Sequence, residues 1–308
     1  MSSPNKISPH QFCRLLVVLF ITWFVLNYNI AADDAASTTK EKPLVNSVGL
    51  EFAPVPGTHI LMCKTDTRIK DFRRFIKEAN YVVDPGMYVQ GVKEDRPGHY
   101  KMYGHFEATA SWDHHGFEQS DDEPVVGVNW YDAKAFCDWL SKKENRTYRL
   151  PTHMEWSLAV GPTKYPWGND WPPTNGAGNY GDASFGTILP KQNWPVIPGY
   201  DDGTARISPV GKYPPNPLGL YDMGGNVWQW CENKYRASMN DADALERNSY
   251  LKDTKESDGT PWRVRRGGGW YDNLEMRLRS SFRAAVRPTR RSDDNGFRCA
   301  IVIAPPMP

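Results

Sequence analysis

The chain has 308 residues, a formal net charge of +1 and a pI near 7.6. This balance gives no sign of the clustered basic surface typical of nucleic-acid binding, so we expect no nucleic-acid partner. Twelve Trp, fifteen Tyr, 25 Gly and 25 Pro, with a mean hydropathy of −0.62, disfavour helical bundles and TIM barrels and indicate a loop-rich domain held by aromatic packing.

An apolar run, Leu15–Leu26, follows Lys6 and Arg14 near the N-terminus. Its length fits a secretory signal peptide better than a membrane-spanning helix, which needs about 20 apolar residues. An uncleaved anchor is the alternative, because the residues after the run match a cleavage site poorly. We predict a signal peptide or anchor over residues 1–32 and an extracytoplasmic body that is secreted, periplasmic or membrane-anchored. Contact with a membrane is expected only if the leader is uncleaved.

Residues 33–44 have the composition of a flexible tether, since small and charged residues dominate them. The remaining residues, 45–308, are predicted to form one domain without internal repeats. Its first elements are expected to be hairpin strands within Gly49–Asp66.

Two helices are predicted from the spacing of apolar residues. In the first, Ile69, Phe72 and Ile76 share one face, and the residues of Thr65–Thr67 are candidate N-caps. The second helix has four apolar positions on one face: Ala133, Phe136, Cys137 and Leu140. Shortly after it, Thr152 and Glu155 have the spacing of a capping box, which predicts a third helix start.

The stretch Gly161–Leu220 has almost no periodicity and is rich in turn-forming residues. A segment this long without helices or strands needs another source of order, and bound metal ions would provide one. Strand-like runs then close the chain: RVRRGGGWYD, RLRSSFRAAV and GFRCAIVIA.

Six motifs give the chain a family likeness. In order they are PVVGVNWYDAKAFCDWL, YRLPTHMEW, YPWGND, GLYDMGGNVWQW, RRGGGW and NGFRCA. Over about Gly49–Ile303 the chain resembles the formylglycine-generating-enzyme family, whose domain is also called the sulfatase-modifying-factor domain. The resemblance implies an α+β fold: the irregular, loop-rich C-type-lectin-like architecture of that family.

The resemblance implies copper as a cofactor, but the residues at the matching positions argue against it. Family members that make formylglycine oxidise a cysteine of client sulfatases with two cysteines that bind copper(I), because soft thiolates select that ion. In those enzymes the pair follows the stretch that matches Arg266–Trp270. Here the corresponding run, Tyr271–Arg283, has no cysteine, and Gly269 replaces the usual serine. We therefore expect neither copper nor formylglycine formation by that mechanism.

The cysteines divide into two pairs. Cys63 and Cys231 match no catalytic position of the family and are expected to be buried thiols, although a relocated thiol site or a disulfide between them stays open. Cys137 and Cys299 match a family disulfide that joins the second helix to the last strand. Two buried thiols are the alternative for this pair.

The resemblance also implies two structural calcium sites, since calcium takes six to eight hard oxygen ligands. The first, the Gln229 set, would be the Asp222 side chain, the Gly225 and Val227 carbonyls, and the Gln229 side chain. The second, the Asn179 set, would be the Asn179 side chain, the Tyr180 carbonyl, the Asp202 side chain and the Thr204 carbonyl. The family commonly has Glu at the position of Gln229, so lower affinity is expected there. Turn-capping hydrogen bonds are the alternative for Asn179 and Asp202.

The loop Gly224–Cys231 also has structural roles to fill. Asn226 is expected to order its backbone through hydrogen bonds, and Trp228 and Trp230 are expected to pack in the core.

The missing copper cysteines favour a non-catalytic exported module. Such a module would present a groove to a peptide, glycan or protein partner, and an accessory protein that binds sulfatases is one form of it. The groove residues would be Trp270, Asp272, Asn273 and Arg283. The alternative is an enzyme that oxidises a sulfatase cysteine to formylglycine, or performs a related oxidation, at a non-standard site.

Overall fold

A computed structural model describes residues 37–97, 99–188, 195–236 and 258–303. The predicted leader, residues 1–32, lies outside these ranges. None of the described helices is both long and apolar enough to cross a bilayer.

Regular elements are short. In chain order, the strands are β1 (Leu44–Val45), β2 (Glu51–Pro54), β3 (Ile60–Cys63), β4 (Met87–Arg96), β5 (His99–Glu107), β6 (Tyr148–Arg149), β7 (Trp228–Lys234), β8 (Arg263–Arg266), β9 (Ala284–Val286), β10 (Asn295–Gly296) and β11 (Ala300–Val302). The helices are α1 (Ile69–Ala79), α2 (Trp130–Glu144), α3 (His153–Val160) and the single turn α4 (Ala183–Gly186), and Glu275–Leu278 forms a 3-10 turn.

Two sheets organise these elements. A five-stranded sheet has the order β1-β2-β3-β11-β6 and is antiparallel throughout. A four-stranded sheet has the order β10-β7-β8-β9, in which the short β10–β7 pair is parallel. The predicted early hairpin (β2 and β3) and the closing strands (β8, β9 and β11) are confirmed. A separate ribbon of β4 and β5 is not predicted by the sequence pattern.

Helix α1 confirms the predicted face but not the predicted cap. Ile69 and Phe72 are buried, and Ile76 is partly buried against the core. Arg68 is the N-cap, and Asp71 Oδ2 accepts from its backbone N–H at 3.2 Å and from its guanidinium Nε at 2.7 Å. The expected cap within Thr65–Thr67 is wrong because the Thr67 backbone already pairs with other segments, donating to the Phe297 carbonyl and accepting from Val125 N.

Helix α2 packs one apolar face into the core. All four predicted apolar positions are fully buried: Ala133, Phe136, Cys137 and Leu140. The Phe136 ring packs edge-on against Phe297 at 5.4 Å between centroids, which joins α2 to the segment before β11. Burying such a side chain stabilises the fold by about 1.5–3 kcal/mol. The capping box of Thr152 and Glu155 at α3 is also confirmed.

The irregular stretch is held by rings and hydrogen bonds rather than by elements. Between residues 161 and 220, the described part contains one helical turn, α4. Tyr165 and Trp167 stack at 4.8 Å between centroids, and Trp167 meets Tyr180 edge-on at 5.1 Å. Tyr200 donates to the Gly178 carbonyl at 2.5 Å.

The described part of the predicted tether lies against the domain. Leu44 pairs with Phe52 in the five-stranded sheet, Thr38 is buried, and Lys40 Nζ donates to the Pro217 carbonyl at 3.3 Å. Residues 37–44 are therefore ordered by contacts with the domain, which a composition of small and charged residues does not reveal.

Four cysteines lie in the described residues, and all are buried as free thiols. The Cys137 and Cys299 sulfur atoms are 3.8 Å apart, unbonded but facing each other between α2 and the residue before β11. The Cys137–Cys299 disulfide stays a prediction, and this proximity makes it a short movement away.

We expect the Cys137–Cys299 bond to form when the chain folds in an oxidising compartment. Because it would close a loop of more than a hundred residues, it would stabilise by about 4–5 kcal/mol in the chain-entropy model. Peptide mapping without reductant should recover the two cysteines in one linked fragment. Recovery of both as free thiols from exported protein would contradict this prediction.

Candidate functional site

The loop around Asn226 is the junction of three irregular segments. The Asn226 N–H donates to the Asn179 carbonyl at 2.8 Å, and the Asn226 carbonyl accepts from Trp270 N at 2.9 Å. Its side chain exchanges two hydrogen bonds of 3.0 Å with the Ser208 backbone. The predicted ordering role of Asn226 is confirmed, and its left-handed φ of 61° is one that Asn tolerates well.

Gly225 is required by the close approach of these segments. A Cβ atom there would lie 2.3 Å from the Asn179 carbonyl oxygen, and its φ is +76°. The Gly225 N–H donates to the Gly267 carbonyl at 2.9 Å. The glycines in GGNVWQWC therefore allow backbone to pack directly against backbone.

Trp228 and Trp230 fill the core, as predicted, but each indole also orients a neighbouring segment. Trp230 Nε1 donates to the Val128 carbonyl at 3.1 Å. Trp228 Nε1 donates to Asp272 Oδ2 at 2.8 Å. Both rings are fully buried, so these hydrogen bonds satisfy polar groups that water does not reach.

Asp272 lies near the start of Tyr271–Arg283, the run in which the resemblance would place the copper cysteines. Gly269 N donates to its Oδ2 at 2.9 Å, and Arg277 Nη1 donates to its Oδ1 at 3.0 Å. The Asp272 side chain is 1 % exposed and that of Arg277 is 44 % exposed. A carboxylate with three donors, one of them Arg277, therefore occupies this position. A carboxylate is a hard ligand and a guanidinium is not a metal ligand, so neither group selects copper(I).

The predicted groove residues do not share an open surface. Trp270 and Asp272 are both buried. Asn273 is half-buried and donates to the Pro195 carbonyl, while Arg283 lies over the Tyr235 ring at 5.6 Å. A ligand would reach only the last two of the four.

Two carboxylates beside this run are missed by the sequence analysis. Asp293 and Asp294 are fully buried before the short strand β10. Asp294 Oδ2 accepts from Arg265 Nη1 at 3.1 Å and from the Tyr271 hydroxyl at 2.8 Å. Burial and the adjacent Asp294 charge raise the pKa of Asp293 to about 7. The signal was a pair of acids between strand-like runs, which also fits an exposed turn.

The Gln229 set is not arranged to hold calcium. Gln229 Oε1 accepts from Trp156 Nε1 at 2.8 Å and from Arg298 Nε at 2.9 Å. Its Nε2 donates to the Asp222 carbonyl at 2.7 Å. Since the two partners of Oε1 are obligate donors, the orientation of the amide is fixed and its oxygen is already used.

A buried arginine occupies the space beside Gln229. Arg298 is fully buried, and Asp66 Oδ1 lies 3.4 Å from its Nη2. Its remaining donors reach four backbone carbonyls: Cys63, Lys64, Tyr221 and Asp222. A metal ion next to Asp222 would be repelled by this guanidinium, so the residues at the Gln229 set do not fit calcium.

The Asn179 set fits a cation better. Asn179 Oδ1 is buried without a hydrogen-bond partner. Burial and the neighbouring Asp182 carboxylate raise the pKa of Asp202 to about 7, and a cation would relieve this repulsion. The turn-capping alternative is also visible, because Asp202 accepts from Tyr180 N at 2.9 Å and from Thr204 N at 2.8 Å.

Amide and carbonyl oxygens would have to complete any metal site of this kind. Within the described ranges, no three His, Cys, Asp or Glu side chains are grouped to hold a metal ion.

The described thiols are poor candidates for a relocated copper site. Burial raises the pKa of Cys63 to about 11 and that of Cys231 to about 12. Burial also raises the pKa of Cys299 well above its usual value, with Cys137 beside it as a further cause. Thiolates, the form that binds metal, are therefore disfavoured at these positions.

Comparisons with known proteins show the family of this chain. The profile of the Sulfatase-modifying factor enzyme 1-like domain matches residues 58–303. The chain is 34% identical over 194 residues to the "Inactive C-alpha-formylglycine-generating enzyme 2" of Bos taurus; the match covers 60% of this chain and 52%, about half, of that relative's length. It is 28% identical over 253 residues to the "Formylglycine-generating enzyme" of Thermomonospora curvata, covering 75% of this chain and 78% of that protein.

Among solved structures, PvdO from Pseudomonas aeruginosa is similar over 79% of this chain and 80% of that chain, with a TM-score of 0.52 and 22% identity. The short elements and this likeness define an α+β protein of the irregular C-type-lectin-like fold, which confirms the predicted fold class. The chain belongs to the sulfatase-modifying factor family.

Replacing Arg277 with Ala would leave the buried Asp272 carboxylate without its charged partner. We expect R277A to lower the free energy of unfolding by about 1–3 kcal/mol. The matched control is R74A on α1, which removes an exposed i,i+4 ion pair with Glu78 and should cost less than about 1 kcal/mol. Chemical denaturation of both variants measures the difference, and equal losses would show that Asp272 does not depend on Arg277.

Proposed function

We propose that this protein is a non-catalytic binding or accessory module of the sulfatase-modifying factor family. It would act outside the cytoplasm on a protein or peptide partner, with a sulfatase as the first candidate. The observation that carries the proposal is the Asp272–Arg277 ion pair in the run Tyr271–Arg283, where a copper-binding thiol pair would be expected.

The remaining thiols support the same conclusion. Copper(I) oxidation needs two soft ligands that a substrate thiol can reach. Each described cysteine is at most 1 % exposed, and burial disfavours the thiolate form of Cys63, Cys231 and Cys299. A second soft-ligand pair would therefore require the interior to open.

The relatives support a non-catalytic role. The Bos taurus relative carries "inactive" in its name, and this chain is 34% identical to it over 194 residues. A partner of sulfatases or of a catalytic relative would use this domain for recognition alone.

We propose calcium as a structural ion at the Asn179 set, where Asn179 Oδ1 and the Asp202 carboxylate would hold it. When bound, calcium would supply positive charge that neutralises Asp202 and Asp182. At the Gln229 set, hydrogen bonds from the Arg298 guanidinium would hold the loop in place of a metal ion.

The test of catalysis uses purified protein, copper(I) and a peptide with a sulfatase-type cysteine motif. We expect mass spectrometry to show unmodified cysteine after prolonged incubation in air, because the four thiols in the described part of the chain are too buried to hold accessible copper. The Thermomonospora curvata enzyme, assayed in parallel, is the positive control. Conversion of the peptide cysteine to formylglycine by this protein would refute the non-catalytic proposal and favour an enzyme with a non-standard site.

The test of calcium uses thermal melting with excess EGTA or excess calcium. At about 100-fold above the dissociation constant, calcium should raise the melting temperature by roughly 5–10 °C. D202N should abolish this shift, whereas D222N, a change in the Gln229 set, should keep it. A wild-type melting temperature that does not respond to calcium would contradict the site, and loss of the shift in D222N would place the ion at the other set.

A further inference from the structure

The turn Arg287–Arg290 takes no part in the proposed function. Its Arg290 N–H donates to the Arg287 carbonyl at 3.0 Å, which closes a four-residue turn with Pro288 at the second position, where its fixed φ is favoured. Trp130 N donates to the Pro288 carbonyl at 3.0 Å and fixes the turn to the start of α2. Arg287 and Arg290, the first and last residues of the turn, both line one pocket.

A pocket of about 390 Å³ lies beside this turn. Its lining residues are Gly86, Tyr88, Phe106, Arg287, Thr289, Arg290 and Arg291. The pocket therefore combines three guanidinium groups, the hydroxyls of Tyr88 and Thr289, and two aromatic rings. Its volume lies within the range usual for sites that bind small molecules.

Arg290 is the unusual member of this set. It is half-buried and stacks on the Tyr88 ring, with its guanidinium carbon 3.7 Å from the ring centroid. No carboxylate of the described residues forms an ion pair with it. Asp294, the acid that attracts it electrostatically, is already paired with Arg265. Because removing part of a charged group from water is costly unless the charge is paired, a half-buried guanidinium without a carboxylate partner at a pocket points to an anionic ligand.

The two other arginines have different roles. Arg291 is neutralised by Asp132, to which it donates two hydrogen bonds of 3.0 and 3.2 Å. Its backbone carbonyl accepts from Tyr88 N at 2.9 Å, which holds the start of β4 beside the turn. Arg287 is exposed and its guanidinium lies over the Trp262 ring at 5.7 Å. With Arg291 neutralised by Asp132, Arg290 carries the positive charge of the pocket.

Phe106 gives the pocket a flat apolar wall. It is 58 % exposed, yet it is held by Tyr88, whose ring meets it edge-on at 5.6 Å. Gly86 permits this position, since a Cβ there would lie 2.6 Å from the Phe106 ring. An exposed ring fixed beside a cationic group suits a sugar-sized body with an attached anion.

We propose that this pocket binds a sulfate or phosphate ester of a sugar-sized molecule. The ester oxygens would accept hydrogen bonds from Arg290, Arg287 and the Thr289 hydroxyl, since guanidinium forks match tetrahedral oxyanions. The body of the ligand would lie against Phe106. Sulfate and phosphate esters share this chemistry, and binding measurements separate them.

Isothermal titration calorimetry with glucose 6-sulfate, glucose 6-phosphate and glucose tests the proposal on the folded chain. We expect both esters, or one of them, to bind, and glucose to bind at least about tenfold more weakly. A preference between the esters identifies the natural source of the anion. Binding of neither ester, or glucose binding as tightly as the esters, would overturn the proposal.

Variants assign the binding to the pocket. R290Q keeps a side chain over Tyr88 but removes the charge, and it should weaken ester binding by about tenfold or more. R287A changes an exposed residue and should also weaken ester binding. It serves as the test variant if R290Q proves unstable. R74A, whose ion pair lies on α1, is the matched control and should bind as the wild type does. Unchanged ester binding in folded R290Q or, where R290Q is unstable, in folded R287A would overturn the assignment.

Discussion

A single asparagine holds together the part of this protein that lacks helices and strands. Asn226 uses its backbone and both side-chain atoms to join the segments at Asn179, Ser208 and Trp270. Each buried group left unpaired would cost about 1–3 kcal/mol. Asp cannot donate to the Ser208 carbonyl, and Gln is one methylene too long for a site that also excludes a Cβ at Gly225. The irregular fold therefore depends on the shape of one amide.

Arg298 plays a comparable part on the other side of the same loop. Its guanidinium contacts the end of β3, the Tyr221–Asp222 backbone and Gln229 at once. A neutral amide at position 229 suits this arrangement, because it accepts from Arg298 and donates to a carbonyl at the same time. The two sides of the loop therefore differ. Arg298 lies on one side, and the Asp202 and Asp182 carboxylates, which form no ion pair within the described residues, lie on the other.

Much of the fold could be predicted because its regular elements obey local rules. The spacing of Ala133, Phe136 and Leu140 and the capping box at Thr152 are sequence patterns with direct physical causes. The ribbon β4–β5 could not be predicted, since polar residues dominate its strands. Arg68 as a cap and the burial of Asp293 and Asp294 depend on contacts with distant segments, which no local pattern encodes. The site followed the same division: the motifs identified Asn226 and Asp272, whereas the partners Arg298 and Arg277 became visible only in three dimensions.

The order of strands in the larger sheet has a consequence for biosynthesis. Strand β11, formed by residues 300–302, lies between β3 and β6, which are made far earlier. A ribosome must therefore release nearly all of the described chain before the centre of this sheet exists. Contacts so distant along the chain form slowly, and the exposed edges of β3 and β6 would meanwhile be open to wrong pairings. The larger sheet would accordingly be completed only after nearly all of the domain has been synthesised.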